Sequence, residues 1–168
     1  MDKDDRGRVR AFHEGFRWDG IDRIPYKEKG AAPFKAVSRQ LLFAAPDLAC
    51  EVRYFEIDAG GFSTLERHQH SHAVMILRGR GRCLIGSEVH EVAACDLVAI
   101  PAWTWHQFRA AEGEPLGFLC MVNAERDRPE LPSEADLAGL KRDPQIAAFL
   151  LGASEQAAEE GSDVAPKA

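Results

Sequence analysis

From residue 37 to residue 123 the chain is a succession of short β-branched, aromatic and alternating segments cut by glycine or proline, and no helical period is sustained there. The segments fall at 37–44, 50–58, 64–70, 73–78, 81–86, 88–92, 96–100, 106–111 and 115–123. Short strands without intervening helices cannot build an α/β layer. They bury their apolar faces by closing on one another as an antiparallel sandwich or barrel. Gly60-Gly61, Gly79, Gly81 and Gly86 stand where reversals are predicted, because glycine accepts positive φ without steric cost.

The 168 residues are enough for one domain and too few for a second full one. Residues 1–36 are charged, rich in glycine and proline and without a sustained period, so they read as an arm laid over the 37–124 barrel. Within 125–152, Ser133 with Asp136 resembles a capping arrangement. Asp143-Pro144 places an N-cap before a proline at the first helical position, with Gly152 at the stop. Two short helices are expected there, with Leu137, Leu140, Ile146, Phe149 and Leu150 on their apolar sides. Residues 153–168, rich in Ala, Glu and Ser, read as a disordered tail.

The formal charge of −6 opposes broad attraction to nucleic acid or an anionic membrane, so neither is an expected partner. The first residues contain no signal-peptide core, and no run approaches the ~20 apolar residues of a membrane span. A cytoplasmic protein is expected. Cys50, Cys83, Cys95 and Cys120 match no paired Cys-x-x-Cys pattern and read as free thiols packed as small apolar groups.

The chemistry concentrates in Gly60 to Gly79. On an extended strand alternate side chains share a face, so Glu66, His68, His70 and His72 project together. Such groups left unpaired in an apolar barrel are costly, whereas a divalent metal satisfies them at once. Neutral imidazoles and a carboxylate suit iron, manganese, nickel, copper or zinc. About thirty residues on lies Cys95-Asp96-Leu97-Val98-Ala99-Ile100-Pro101-Ala102-Trp103-Thr104-Trp105-His106.

These two stretches resemble the two motifs of the cupin superfamily: a Gly, a His-x-His pair, a Glu and a closing Gly, then Gly, five residues, Pro-x-Gly, two residues and His. Asp96, Pro101 and His106 follow the second spacing, and Cys95 and Trp103 stand at its two glycine positions. Counting back from Gly79 as the closing glycine, the resemblance implies His72 as third ligand with Glu66 and His68 as the pair before it. The metal set is then Glu66, His68, His72 and His106, with Glu and His exchanged relative to the commoner order. The other register, beginning at His68 and His70, puts Val74 at a ligand position. His70 stays open between a rim histidine and a group that supports or replaces a ligand. Asp96 belongs to the turn of the second motif.

The resemblance implies a double-stranded β-helix, that is, a jelly-roll barrel, one divalent metal and a homodimer. The function it implies is a metal-dependent oxygenase, of dioxygenase type, acting on a small organic molecule. Alternatives are an isomerase or lyase using the metal as Lewis acid, in which Glu66 leaves the metal to act as base, and a non-catalytic cupin that binds or senses a small molecule. Trp103, Trp105 and Phe108 flank His106 and either wall a substrate pocket or pack on a neighbouring layer. Arg39, Arg53 and Arg109 are candidates to hold an anionic substrate if they point inward. His13 and His90 lie outside the motifs and read as solvated or locally bonded.

Overall fold

The structure, a computed structural model, describes residues 7, 9–28, 32–45 and 47–152. The tail expected at 153–168 lies outside the described residues. An arm carries β1 (Phe12–His13), β2 (Arg17–Trp18) and β3 (Ile24–Pro25). The body follows with β4 (Lys35–Ala45), β5 (Leu48–Phe62), β6 (His72–Arg78), β7 (Arg80–Ile85), β8 (Glu88–Ala93), β9 (Leu97–Ile100), β10 (His106–Ala110) and β11 (Leu116–Asn123). Two helices end it, α1 (Glu134–Leu140) and α2 (Pro144–Leu151).

The strands form one curled antiparallel sheet in the order β8-β7-β10-β5-β11-β6-β9, with β4 also on β5 and β3 on β4. The all-β jelly-roll expectation is met. β5 turns the sheet over: residues 50–57 pair with β11, and its last residue Phe62 pairs with Arg109 of β10. Alternation along the strands sends Val74 and Ile76 of β6 and Leu116 of β11 into a fully buried core. Phe118 is sandwiched there, stacked on Phe55 at 5.6 Å and on Phe108 at 4.8 Å.

The strand expected at 64–70 is not formed. These residues make a crossing loop that touches its neighbours through single bridges, Glu66 with His106 and Arg67 with Glu130. The alternation of His and Glu that suggested a strand serves side-chain placement and not a continuous ladder. Gly60-Gly61 likewise mark no reversal, since they lie inside β5, and Gly81 lies inside β7. A Cβ on Gly61 would meet Lys35 O at 2.6 Å, so closeness of β4 demands the glycine. Gly79 does hold a reversal, between β6 and β7, with φ +73° and Pro115 O where a Cβ would stand.

The arm is more ordered than its sequence suggests. The β1–β2 hairpin brings Phe16 to stack on Tyr54 at 5.5 Å, with Trp18 beside it at 5.1 Å, on the sheet face opposite the cavity described below. Gln40 Nε2 donates to Phe16 O at 2.8 Å and fixes the hairpin to β4.

The helices begin as read. Ser133 and Asp136 form a capping box, and Asp143 accepts from the Gln145 and Ile146 amides with Pro144 next in line. Gly152 caps α2 at φ +75°. Ile146 and Phe149 are buried against Leu65 and Leu84, and Trp105 packs on this same cluster. Among the described residues no helix is long and apolar enough to cross a membrane.

Candidate metal centre

His68 comes from the crossing loop, His72 opens β6 and His106 opens β10. The pairings that place them are His72 with Ile100 of β9 and His106 with Ile85 of β7. The three rings form a nearly equilateral triangle, with centroids 4.8 Å apart for His68–His72, 4.9 Å for His68–His106 and 4.8 Å for His72–His106. One ligand atom from each lies within 4.8 Å of the others.

Hydrogen bonds settle which nitrogen faces inward. A carbonyl oxygen only accepts, so His68 Nδ1 donates to His70 O at 2.8 Å and His106 Nδ1 donates to Thr104 O at 2.9 Å. Both Nε2 atoms keep a lone pair. His72 Nδ1 contacts Cys120 Sγ at 3.1 Å, and its buried Nε2 has no partner among the described residues. Burial, followed by the neighbouring imidazoles, pushes His72 down to about 2. Burial also brings His106 down to about 4 and lowers His68. Three neutral imidazoles, two of them steered by backbone carbonyls and one presenting an orphaned nitrogen, fit a divalent metal.

Glu66 lies in the same cavity but is otherwise engaged. Lys27 of the arm forms an ion pair with Glu66 Oε2, and Tyr26 donates to Oε1 at 3.5 Å. Burial, then the Glu66 charge, raises the Tyr26 phenol, so it keeps its proton. His70 stacks on His68 at 3.8 Å, and its Nδ1 meets Asp127 Oδ1 at 2.7 Å. It stands outside the three-histidine group, yet it backs one member of it. Asp127, held to about 2 first by the Gln69 amide and also by His70, stays ionised.

The cavity is about 280 Å³. One wall is apolar, with Phe55, Phe108 and Phe118, and another is basic, with Arg39, Arg53 and Arg126. Of the expected aromatics only Phe108 reaches it. Trp103 is 50% exposed, and Trp105 lies against the helices with Arg67 over its ring at 4.4 Å. Arg39 and Arg53 do point inward. Arg109 does not, since it donates to Leu150 O at 2.6 Å and lies over Phe62. His13 pairs with Asp19 and His90 with Glu88, both away from the cavity.

Sequence reasoning missed Tyr26, Lys27, Cys120, Arg126 and Asp127. Nothing local marks the arm residues, whose partner is about forty positions away. Cys120 could have been found from its β11 alternation with Phe118 and Val122, which all line the cavity.

Residues 53–122 match the family of the Cupin domain. A Rhodospirillum rubrum protein named 1-methylthio-D-xylulose 5-phosphate methylsulfurylase is 58% identical over 151 residues, which cover 90% of this chain and 97% of that protein. A solved cupin 2 conserved barrel domain protein from Rhodopseudomonas palustris is 61% identical, with a TM-score of 0.80 over 83% of this chain and 97% of its own. A solved cupin-2 domain from Rhodospirillum rubrum is 59% identical, with a TM-score of 0.78, covering 86% of this chain and 97% of its own.

Proposed function

The chain belongs to the cupin superfamily, and on that premise we propose that it is a metal-dependent enzyme that removes the methylthio group from C1 of a 1-methylthio-2-ketose 5-phosphate. The observation that carries the reading is the likeness to the named methylsulfurylase, which at 90% of this chain is not confined to the barrel. The dioxygenase reading requires a redox-active metal and draws no support from the names of these relatives. Transfer of the methylthio group to a thiol forms a mixed disulfide while the C1–S electron pair leaves as an enolate that is then protonated at C1, so the metal is needed as a Lewis acid and keeps its oxidation state.

In this reading His68, His72 and His106 would hold one divalent metal, with Glu66, paired with Lys27, as the candidate fourth donor. Such an ion would supply a Lewis acid to polarise the ketone of a 2-ketose. The chain's own groups do the rest. The Thr104 and His70 carbonyls keep the two imidazoles turned inward, so the donor atoms are set before substrate arrives. Lys27 and the protonated Tyr26 hold the Glu66 carboxylate in the cavity wall. The Phe55, Phe108 and Phe118 wall excludes water and provides ring edges for the methylthio sulfur.

The test is incubation of the full chain with 1-methylthio-D-xylulose 5-phosphate and a low-molecular-weight thiol as acceptor. Manganese, iron, nickel, copper and zinc are supplied in turn. Proton NMR should show loss of the sugar-attached S-methyl signal with at least one metal, no loss after chelation, and no oxygen uptake. Substrate that persists with every metal overturns the reading.

A further inference from the structure

Among the described residues four cations line the cavity, Lys27, Arg39, Arg53 and Arg126, against two carboxylates, Glu66 and Asp127. Both carboxylates are occupied, Glu66 by Lys27 and Asp127 by His70 and the Gln69 amide. Behind the wall, one Glu51 oxygen gathers Arg53 and Arg126. It accepts from Arg53 Nε at 2.8 Å and from Arg126 Nη1 at 2.9 Å. Arg126 Nη1 also donates to Asn123 O at 2.8 Å. Glu51 therefore fixes two guanidinium groups in place without using all of their donors. Arg39 has no hydrogen bond or ion pair among the described residues, and its Nε is buried without a partner. Burial, joined by the like charges of Arg126 and Arg39, lowers the Arg53 pKa despite Glu51. A half-buried arginine with its Nε buried and no carboxylate partner among the described residues, beside two others that share one, is a site short of negative charge.

Strand register gives the distance to the metal centre. Arg53 stands opposite Leu41 of β4 and opposite Cys120 of β11, and Arg39 precedes Leu41 by two. Cys120 stands opposite Val74 of β6, two residues after His72. The inner wall therefore runs from Arg39 through Arg53 and Cys120 to His72. Between Arg53 on β5 and β6 lie two strand spacings, roughly 10 Å. An extended five-carbon ketose with its carbonyl at the histidines would bring its far end to the arginines.

We propose that Arg39, Arg53 and Arg126 form an anion subsite for the terminal phosphate monoester of the substrate, with Arg39 as its principal donor. This deepens the reading above and rests on it for the identity of the sugar. The fork of a guanidinium matches two phosphate oxygens, and a dianion supplies the charge that the wall lacks.

The test is calorimetric binding of D-xylulose 5-phosphate and of D-xylulose to the full chain, with circular dichroism confirming that each variant is folded. The wild type should bind the ester more tightly than the free sugar. Arg39→Gln should weaken ester binding about tenfold or more and leave D-xylulose binding unchanged, and Arg39→Lys should fall between. Arg126→Gln, whose Glu51 remains tied to Arg53, provides a second variant should Arg39→Gln fail to fold, and it should weaken the ester alone. Equal wild-type affinity for ester and sugar overturns the subsite, as does unchanged ester affinity in the folded variants. The two proposals fail separately. Ester binding that depends on Arg39 without loss of the methylthio group sinks only the reaction, whereas turnover with a KM indifferent to Arg39→Gln sinks only the subsite.

Discussion

The Nδ1 of His72 lies 3.1 Å from the Sγ of Cys120, across the pairing of β6 with β11. Burial pushes the Cys120 thiol up to about 12, so the sulfur is a neutral neighbour that fixes the ring without charging it. Cys120→Ala should therefore leave His72 freer to turn and weaken divalent metal binding by roughly 10–100-fold. The melting temperature of the metal-free protein should fall only slightly. Cys83→Ala, also buried but paired with His90 outside the cavity, should leave metal affinity unchanged. Metal titration of both variants checks this.

Lys27 and a metal compete for one carboxylate if Glu66 is a ligand. Lys27→Met should then tighten metal binding by about tenfold, and Glu66→Gln should weaken it. In the double variant the Lys27 effect should vanish, since the group through which it acts is gone. His70→Ala should be milder than His72→Ala or His106→Ala. A His70 effect larger than that of Glu66 would remove Glu66 from the ligand set.

Acid should destabilise the metal-free protein. His106 is held at about 4 against its ordinary 6.5, and His72 at about 2. Between those folded values and 6.5 the unfolded chain binds protons that the folded chain refuses, so stability rises with pH across that window and is lost as pH falls through it. The slope is at most about 1.4 kcal/mol per pH unit for each histidine. Metal affinity should fall over the same range because protonated imidazole has no lone pair to give. Denaturant midpoints measured with and without chelator between pH 7 and pH 4 test both statements.

Two non-glycine residues occupy the glycine positions of the second motif, and both are left-handed, Cys95 at φ 78° and Trp103 at φ 58°. The turn survives because Cys95 N donates to Ile76 O at 2.9 Å and Trp103 N donates to His68 O at 2.7 Å. Strain of about 1–2 kcal/mol at each is opposed by the roughly 0.5–1 kcal/mol of chain entropy a glycine would cost. Cys95→Gly and Trp103→Gly should each stabilise by roughly 0.5 kcal/mol and should add. Urea unfolding of the singles and the double measures it.

Phe149 is fully buried on α2 against the Leu65–Leu84 cluster. Phe149→Ala should cost about 3–5 kcal/mol by thermal or chemical denaturation.

The barrel was legible because alternation in 73–78 and 115–123 has one cause, a sheet with one buried face. At 64–70 the same alternation has another cause. His68 and His72 must meet His106, and a residue pattern cannot say whether a ladder or a ring of ligands imposes the period. The helix starts were legible since capping is local, as Ser133 and Asp143 show. The arm was legible as an arm but its contacts were not, because Phe16 on Tyr54 and Lys27 on Glu66 join residues 38 and 39 positions apart. Arg39, Arg53 and Arg109 looked alike in sequence. Only the packing of α2 draws Arg109 away to Leu150.

The histidines that gather at the centre all lie between His68 and His106, while Lys27 and Arg39 precede that stretch and Arg126 follows it. On the proposed function, reactivity and recognition are thereby carried on different lengths of chain. A lineage could exchange Arg39 and Arg126 and acquire a new substrate while the three histidines stay in place. Conversely, a chimaera that grafts only the central stretch onto a foreign barrel would carry over the three histidines and leave behind both the Cys120 that steadies His72 and the arginines proposed to choose the substrate.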